Sequence, residues 1–132
     1  MKHFCIIFAT VVAFALSACH YHNINGDLDG NWRFLTIEQT DGSVTEPDEA
    51  FLAIQMHTFN IRLFGAGRCA GNLYYDKKAK TLALEFPYEH KLSAIGFPKT
   101  PCTVNFHIEH LTKERLVMRM DSNNAIYTFE KF

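Results

Sequence analysis

Histidines, cysteines and carboxylates are the side chains of this 132-residue chain that could do chemistry, and their spacing decides whether they do. His57, His90, His107 and His110 lie in the body of the chain, and His20 and His22 in a polar stretch before it. No Cys-x-x-Cys occurs, and no two histidines of the body show zinc-site spacing. His107 and His110, three apart on an expected strand, should face opposite sides. His20 and His22 are two flexible ligands, which do not make a closed metal site. There is no Gly-x-Ser-x-Gly, phosphate loop or His-Glu-x-x-His. The carboxylates of Asp48, Glu49, Glu85 and Glu89 sit beside proline turns, where acids are usually solvated. The chain is therefore expected to hold no metal, no cofactor and no catalytic residue.

The four cysteines fall into two classes. Residues 1–18 carry one charge, Lys2, ahead of an apolar run from Phe4 to Leu16, the pattern of a secretory signal peptide. The run is shorter than the roughly 20 residues that a spanning helix needs. The junction Leu16-Ser17-Ala18-Cys19 resembles the lipobox of bacterial lipoproteins. That resemblance implies cleavage before Cys19, lipidation of its sulfur, and stable anchoring by several acyl chains. Cys5 would leave with the signal. By likeness to lipoprotein sorting in Gram-negative bacteria, His20 is not the retention aspartate, which points to the outer membrane, facing the periplasm. Residues 19–27 would be the lipidated cysteine and a polar tether, whose eight residues from His20 reach at most roughly 28 Å. Cys69 and Cys102 then remain in an oxidising compartment. They are either a disulfide, worth about 3 to 4 kcal/mol, or two unpaired thiols.

These groups must be positioned by residues 28–132. Acidic and basic side chains nearly balance, 14 against 13, so there is no broad phosphate-binding surface and no nucleic-acid partner is expected. From Asn31 the apolar pattern has period two, broken by turn residues at short intervals, which predicts an all-β antiparallel domain. Eight strands are expected, around Trp32–Gln39, Phe51–Met56, Thr58–Phe64, Asn72–Tyr75, Thr81–Phe86, Val104–Ile108, Leu116–Met120 and Tyr127–Phe129. A sandwich or a closed barrel satisfies them, and closure removes the aggregation-prone edges. Pro47 with Asp48 and Glu49 could instead start a helical turn running into Ala50–Met56. The segment Pro87–Pro101 is long for a hairpin connection and carries Leu92, Ile95 and Phe97, the composition of a lid.

Leu28-Asp29-Gly30-Asn31-Trp32 resembles the Gly-x-Trp signature that opens lipocalins. Residues 28–37, 54–58, 106–111 and 128–132 look like the small lipocalin-like lipoproteins of Gram-negative gut anaerobes. A looser likeness is to META/HslJ-type domains, through the same opening and Gly67-Arg68-Cys69-Ala70-Gly71-Asn72. The lipocalin resemblance implies an eight-stranded up-and-down barrel and binding of a small apolar molecule, not a reaction. It also implies that Trp32 lies at the closed end beneath a basic side chain, Arg119 or Lys131. So short a barrel leaves little room for a large cavity. Two functions follow. One is a membrane-anchored module that takes a small hydrophobic ligand at the mouth. The other is a structural or inhibitory protein with a packed interior, whose loops meet an envelope protein partner.

Overall fold

The computed structural model describes residues 24–132; the signal segment, Cys19 and the start of the tether lie outside them. Nine strands follow one another: β1 (Gly30–Glu38), β2 (Val44–Thr45), β3 (Ala50–Gln55), β4 (Thr58–Leu63), β5 (Gly67–Asp76), β6 (Thr81–Phe86), β7 (Cys102–Leu111), β8 (Arg115–Met120) and β9 (Ile126–Lys131). Every pairing is antiparallel between consecutive barrel strands, and β9 returns to pair with β1 from Trp32↔Lys131 to Glu38↔Ile126. Eight strands thus close an up-and-down barrel. The two-residue β2 lies outside that count, pairing only with Ile37 and Glu38.

Period-two alternation places the core. Leu82, Leu84 and Phe86 of β6, Val104, Phe106 and Ile108 of β7, and Leu116, Met118 and Met120 of β8 all point inward and are buried. The same rule decides the helical alternative at residues 50–56. Ala50, Leu52 and Ile54 alternate inward, and six register pairs tie Ala50–Gln55 to β4, so the segment is a strand. β5 begins at Gly67, five residues before its apolar pattern becomes visible at Asn72.

One bulge corrects an expectation. Between Ile108 and His110 the β7–β8 register slips by a residue, leaving Glu109 unpaired. An extra residue shifts the alternation, so Glu109 and His110 both face out and Leu111 returns to the core. His107 and His110 therefore share the outer face rather than opposing ones. Among the described residues, no group of three or more His, Cys, Asp or Glu side chains is placed to hold a metal.

Candidate functional site

The barrel has two different ends. At the end where β1 starts and β9 finishes, a 3-10 turn (Gly26–Leu28) runs across the opening and buries Leu28 completely. Trp32 is fully buried above it and donates its indole N–H to the Leu28 carbonyl at 2.9 Å. Asn25 and Asp29 tie the turn together: Asn25 Nδ2 donates to Asp29 Oδ1 at 2.7 Å and to the Met56 carbonyl at 2.8 Å. Residues 24–27, expected as tether, are thus part of the folded seal. The polar side chains of Asn25 and Asp29, which look like those of a solvated linker, are buried and satisfied by each other.

Of the two cations the sequence offers, Lys131 is the one beside the tryptophan. Its Nζ lies 4.3 Å from the ring centroid and donates to the carbonyls of Asp27 and Asp29 at 3.0 and 2.5 Å. Burial lowers its pKa, partly opposed by the Asp27 and Asp29 carboxylates. Gly30 makes room for it: its φ is +127°, and a Cβ there would stand 3.0 Å from Lys131 Nζ. Arg119 is elsewhere, on the outer wall of β8, ion-paired with Glu109 at 2.9 Å. Alternation explains the difference, because Arg119 lies between the inward Met118 and Met120.

The opposite end carries the Pro87–Pro101 loop. Its 3-10 turn (Ser93–Ile95) is closed by Ile95 N–H to the Leu92 carbonyl at 3.2 Å and Gly96 N–H to Ser93 at 3.0 Å. Leu92, Ile95 and Phe97 are buried to 2 % exposure or less. Phe97 enters the barrel far enough to meet Phe86, Tyr127 and Phe106, at centroid distances of 5.4, 5.9 and 6.1 Å. Tyr127 Oη donates to the Ile95 carbonyl at 2.7 Å, fastening the loop to β9, and burial pushes its phenol up to about 12. The loop is a plug as well as a lid. The concavities around it are open clefts, one of about 390 Å³ beside Ala66, Arg68 and Tyr88, another of about 390 Å³ between Gly96, Pro98 and Met120, and a third of about 610 Å³ lined by Glu89, His90, Lys91, Ser93 and Lys99.

His90 belongs to this plug, although nothing in its spacing marks it. It is 8 % exposed, packs its ring tilted against Phe86 at a centroid distance of 4.6 Å, and accepts the Leu92 N–H at Nδ1, 3.2 Å away. Its Nε2 is buried without a hydrogen-bond partner, and burial lowers the pKa of the ring. Cys69 and Cys102 are both free thiols. They belong to β5 and β7, which flank β6. Burial pushes both thiols up, with Cys102 adding to the effect on Cys69.

An eight-stranded antiparallel barrel, sealed at one end under a tryptophan and a lysine and capped at the other by a loop, is a lipocalin-like barrel. A family model described as a lipocalin-like domain matches residues 14–132, and the chain belongs to that family. Among solved structures it is similar to a lipocalin-like protein from Bacteroides uniformis ATCC 8492. The identity is 24 %, the TM-score 0.61, and the match covers 81 % of this chain and 100 % of that one. An uncharacterized protein from Bacteroides eggerthii DSM 20697 aligns at 17 % identity and TM-score 0.62, over 79 % of this chain and 98 % of that one. No curated protein matches the chain.

Proposed function

We propose that this protein is a lipid-anchored, non-enzymatic binding module that takes a small apolar molecule at the barrel mouth by exchange with its own plug. The observation that carries this is the burial of Leu92, Ile95 and Phe97 on an irregular loop rather than on a strand. Each such side chain gains about 1.5 to 3 kcal/mol from burial. An apolar ligand of similar size that replaces one of them recovers most of that gain, so exchange is nearly balanced. Anchoring through Cys19 fits the polarity of the barrel. Ile24 enters at the sealed end, so a tether from Cys19 would hold that end toward the membrane and turn the plugged mouth outward. The reading places the domain at the outer membrane, facing the periplasm.

A filled barrel axis favours the second reading, a packed barrel acting on an envelope protein through its loops. Titration of the delipidated protein with the neutral fluorophore N-phenyl-1-naphthylamine separates the two. The exchange reading expects saturable one-to-one binding that tightens in Phe97→Ala, with Leu92→Ala as a milder second variant and circular dichroism to verify folding. Absence of saturable binding in the wild type and in both folded variants leaves only the packed-barrel reading.

A further inference from the structure

The outer wall carries two neighbouring cross-strand rows that the barrel interior does not use. One runs Glu130, Arg33, Phe51, Arg62, Arg68 across β9, β1, β3, β4 and β5. The next runs Asn31, Ala53, Asn60, Ala70 across β1, β3, β4 and β5, and Phe132 closes it by donating its N–H to the Asn31 carbonyl at 3.1 Å. The small Ala53 between two asparagines leaves a depression of about 200 Å³, rimmed by Phe51, Phe132, Arg62, Arg68, Asn31 and Asn60.

The charges here are unusual. Arg33 is paired with Glu130, but Arg62 and Arg68 stand directly opposite each other with no ion-pair partner among the described residues. Like charges in that position destabilise a sheet. Arg62 rests 5.5 Å above the Phe51 ring, and Phe51 and Phe132 pack at 5.0 Å, so the rim joins two guanidinium groups to an aromatic ledge. Asn60 Oδ1 is buried with no donor in reach.

We infer that this depression is a binding site for an acidic sugar residue, with the paired Arg62 and Arg68 holding its carboxylate. Planar guanidinium groups engage carboxylates in a bidentate fork, and an anion between them relieves their mutual repulsion. The Asn31 amide offers both a donor and an acceptor to ring hydroxyls, and Asn60 lines the depression beside it. The aromatic ledge receives the apolar face of a sugar ring. A simple inorganic anion would use the arginines and leave the Asn31 amide and the ledge idle. The site shares Arg68 with the cleft beside the plug but lies on the outer wall, away from the barrel interior that Phe97 enters.

The test is an amide-resolved NMR titration of the delipidated protein with glucuronate, with glucose and inorganic phosphate in parallel. Glucuronate should shift the amides of Phe51, Asn60, Arg62, Arg68 and Phe132, with affinity on the order of millimolar for so small a ligand and falling as salt is raised. Arg62→Gln with Arg68→Gln should weaken it about tenfold or more. Glucose shifting these amides as strongly would remove the carboxylate from the proposal, and phosphate matching glucuronate would reduce the site to a plain anion contact; either overturns it. No response to glucuronate overturns it as well. Arg68→Glu supplies a second readout, because a cross-strand ion pair should raise the thermal midpoint while abolishing binding. A midpoint that stays or falls would show that the facing arginines store no repulsion for a ligand to relieve.

Discussion

Lys131, one residue from the end of the chain, places its ammonium 4.3 Å from the ring centre of Trp32, on the first barrel strand. The contact spans the β1–β9 seam at the pair Trp32↔Lys131, so it closes the barrel and seals its end together. The hydrogen bonds from Nζ to Asp27 and Asp29 add the 3-10 turn to the same cluster. Lys131→Met keeps the apolar stem but loses the cation over the ring and the two hydrogen bonds it donates, and should cost about 2 kcal/mol. Trp32 is the single tryptophan, so urea denaturation followed by its emission reads this directly. A loss below about 0.5 kcal/mol, the scale of an ordinary surface change, would mean that the 3-10 turn seals the end without the lysine.

Tyr127 joins the plug to the wall. Tyr127→Phe retains the ring contacts with Phe97 and Phe106 but strands the Ile95 carbonyl, which should cost about 1 to 3 kcal/mol. Hydrogen exchange should accelerate at Ile95, Gly96 and Phe97 more than on the strands. The phenol also sets an alkaline limit. Its pKa is raised from 10.0 to about 12, so the folded state holds the proton more tightly, and this contribution is lost as pH rises from 10 through 12. Tyr127→Phe should flatten that part of the stability profile; an unchanged alkaline slope would assign it to other groups.

How much of this was legible in the sequence depends on how local the cause is. Alternation is local, so the inward sets of β4, β6, β7, β8 and β9 could be read directly. Strand count leaves a sandwich or a closed barrel, and closure comes from the lipocalin resemblance, while the register Trp32↔Lys131 joins distant parts of the chain and no short-range pattern encodes it. The same non-locality left Arg119 and Lys131 as equal candidates. β5 looks shorter in the sequence than it is because Gly67, Arg68, Ala70 and Gly71 are not the β-branched and aromatic residues that mark a strand. The bulge at Glu109 turned His110 over, and the composition of Pro87–Pro101 suggested a lid without showing that His90 would be buried beneath it.

His90 makes the plug sensitive to acid. Accepting the Leu92 N–H at Nδ1 places the ring proton on Nε2, where it has no partner. A second proton would have to go to Nδ1, facing the Leu92 N–H, in a buried position. Arg68, Lys91 and Lys99 share the clefts around it, with Glu89 the one carboxylate among their lining residues. Because burial lowers the pKa from 6.5, the unfolded chain takes up the proton first. Stability is complete above 6.5 and declines as pH falls through the lower folded value. The thermal midpoint should drop over this range and exchange at Leu92 should quicken. His90→Gln, which keeps an acceptor but does not titrate, should remove most of the slope; a variant with the same slope as wild type would exonerate His90.

Gly71 is where β5 and β6 come too close for any side chain. A Cβ there would lie 1.9 Å from the Glu85 carbonyl oxygen and 2.9 Å from the Phe59 ring. Its φ is not in the left-handed region, so the requirement is space rather than backbone conformation. The ring could rotate aside, but the carbonyl belongs to the strand and moves only if β6 moves. Gly71→Ala should therefore cost about 3 kcal/mol, at the upper end of overpacking changes, read as a lower midpoint in urea. Adding Phe59→Leu distinguishes the two obstacles. If the ring were the obstacle, the double variant would regain stability over Gly71→Ala. With the Glu85 carbonyl as the obstacle, it should instead lose a further increment for the smaller core side chain, because the strands would still be forced apart.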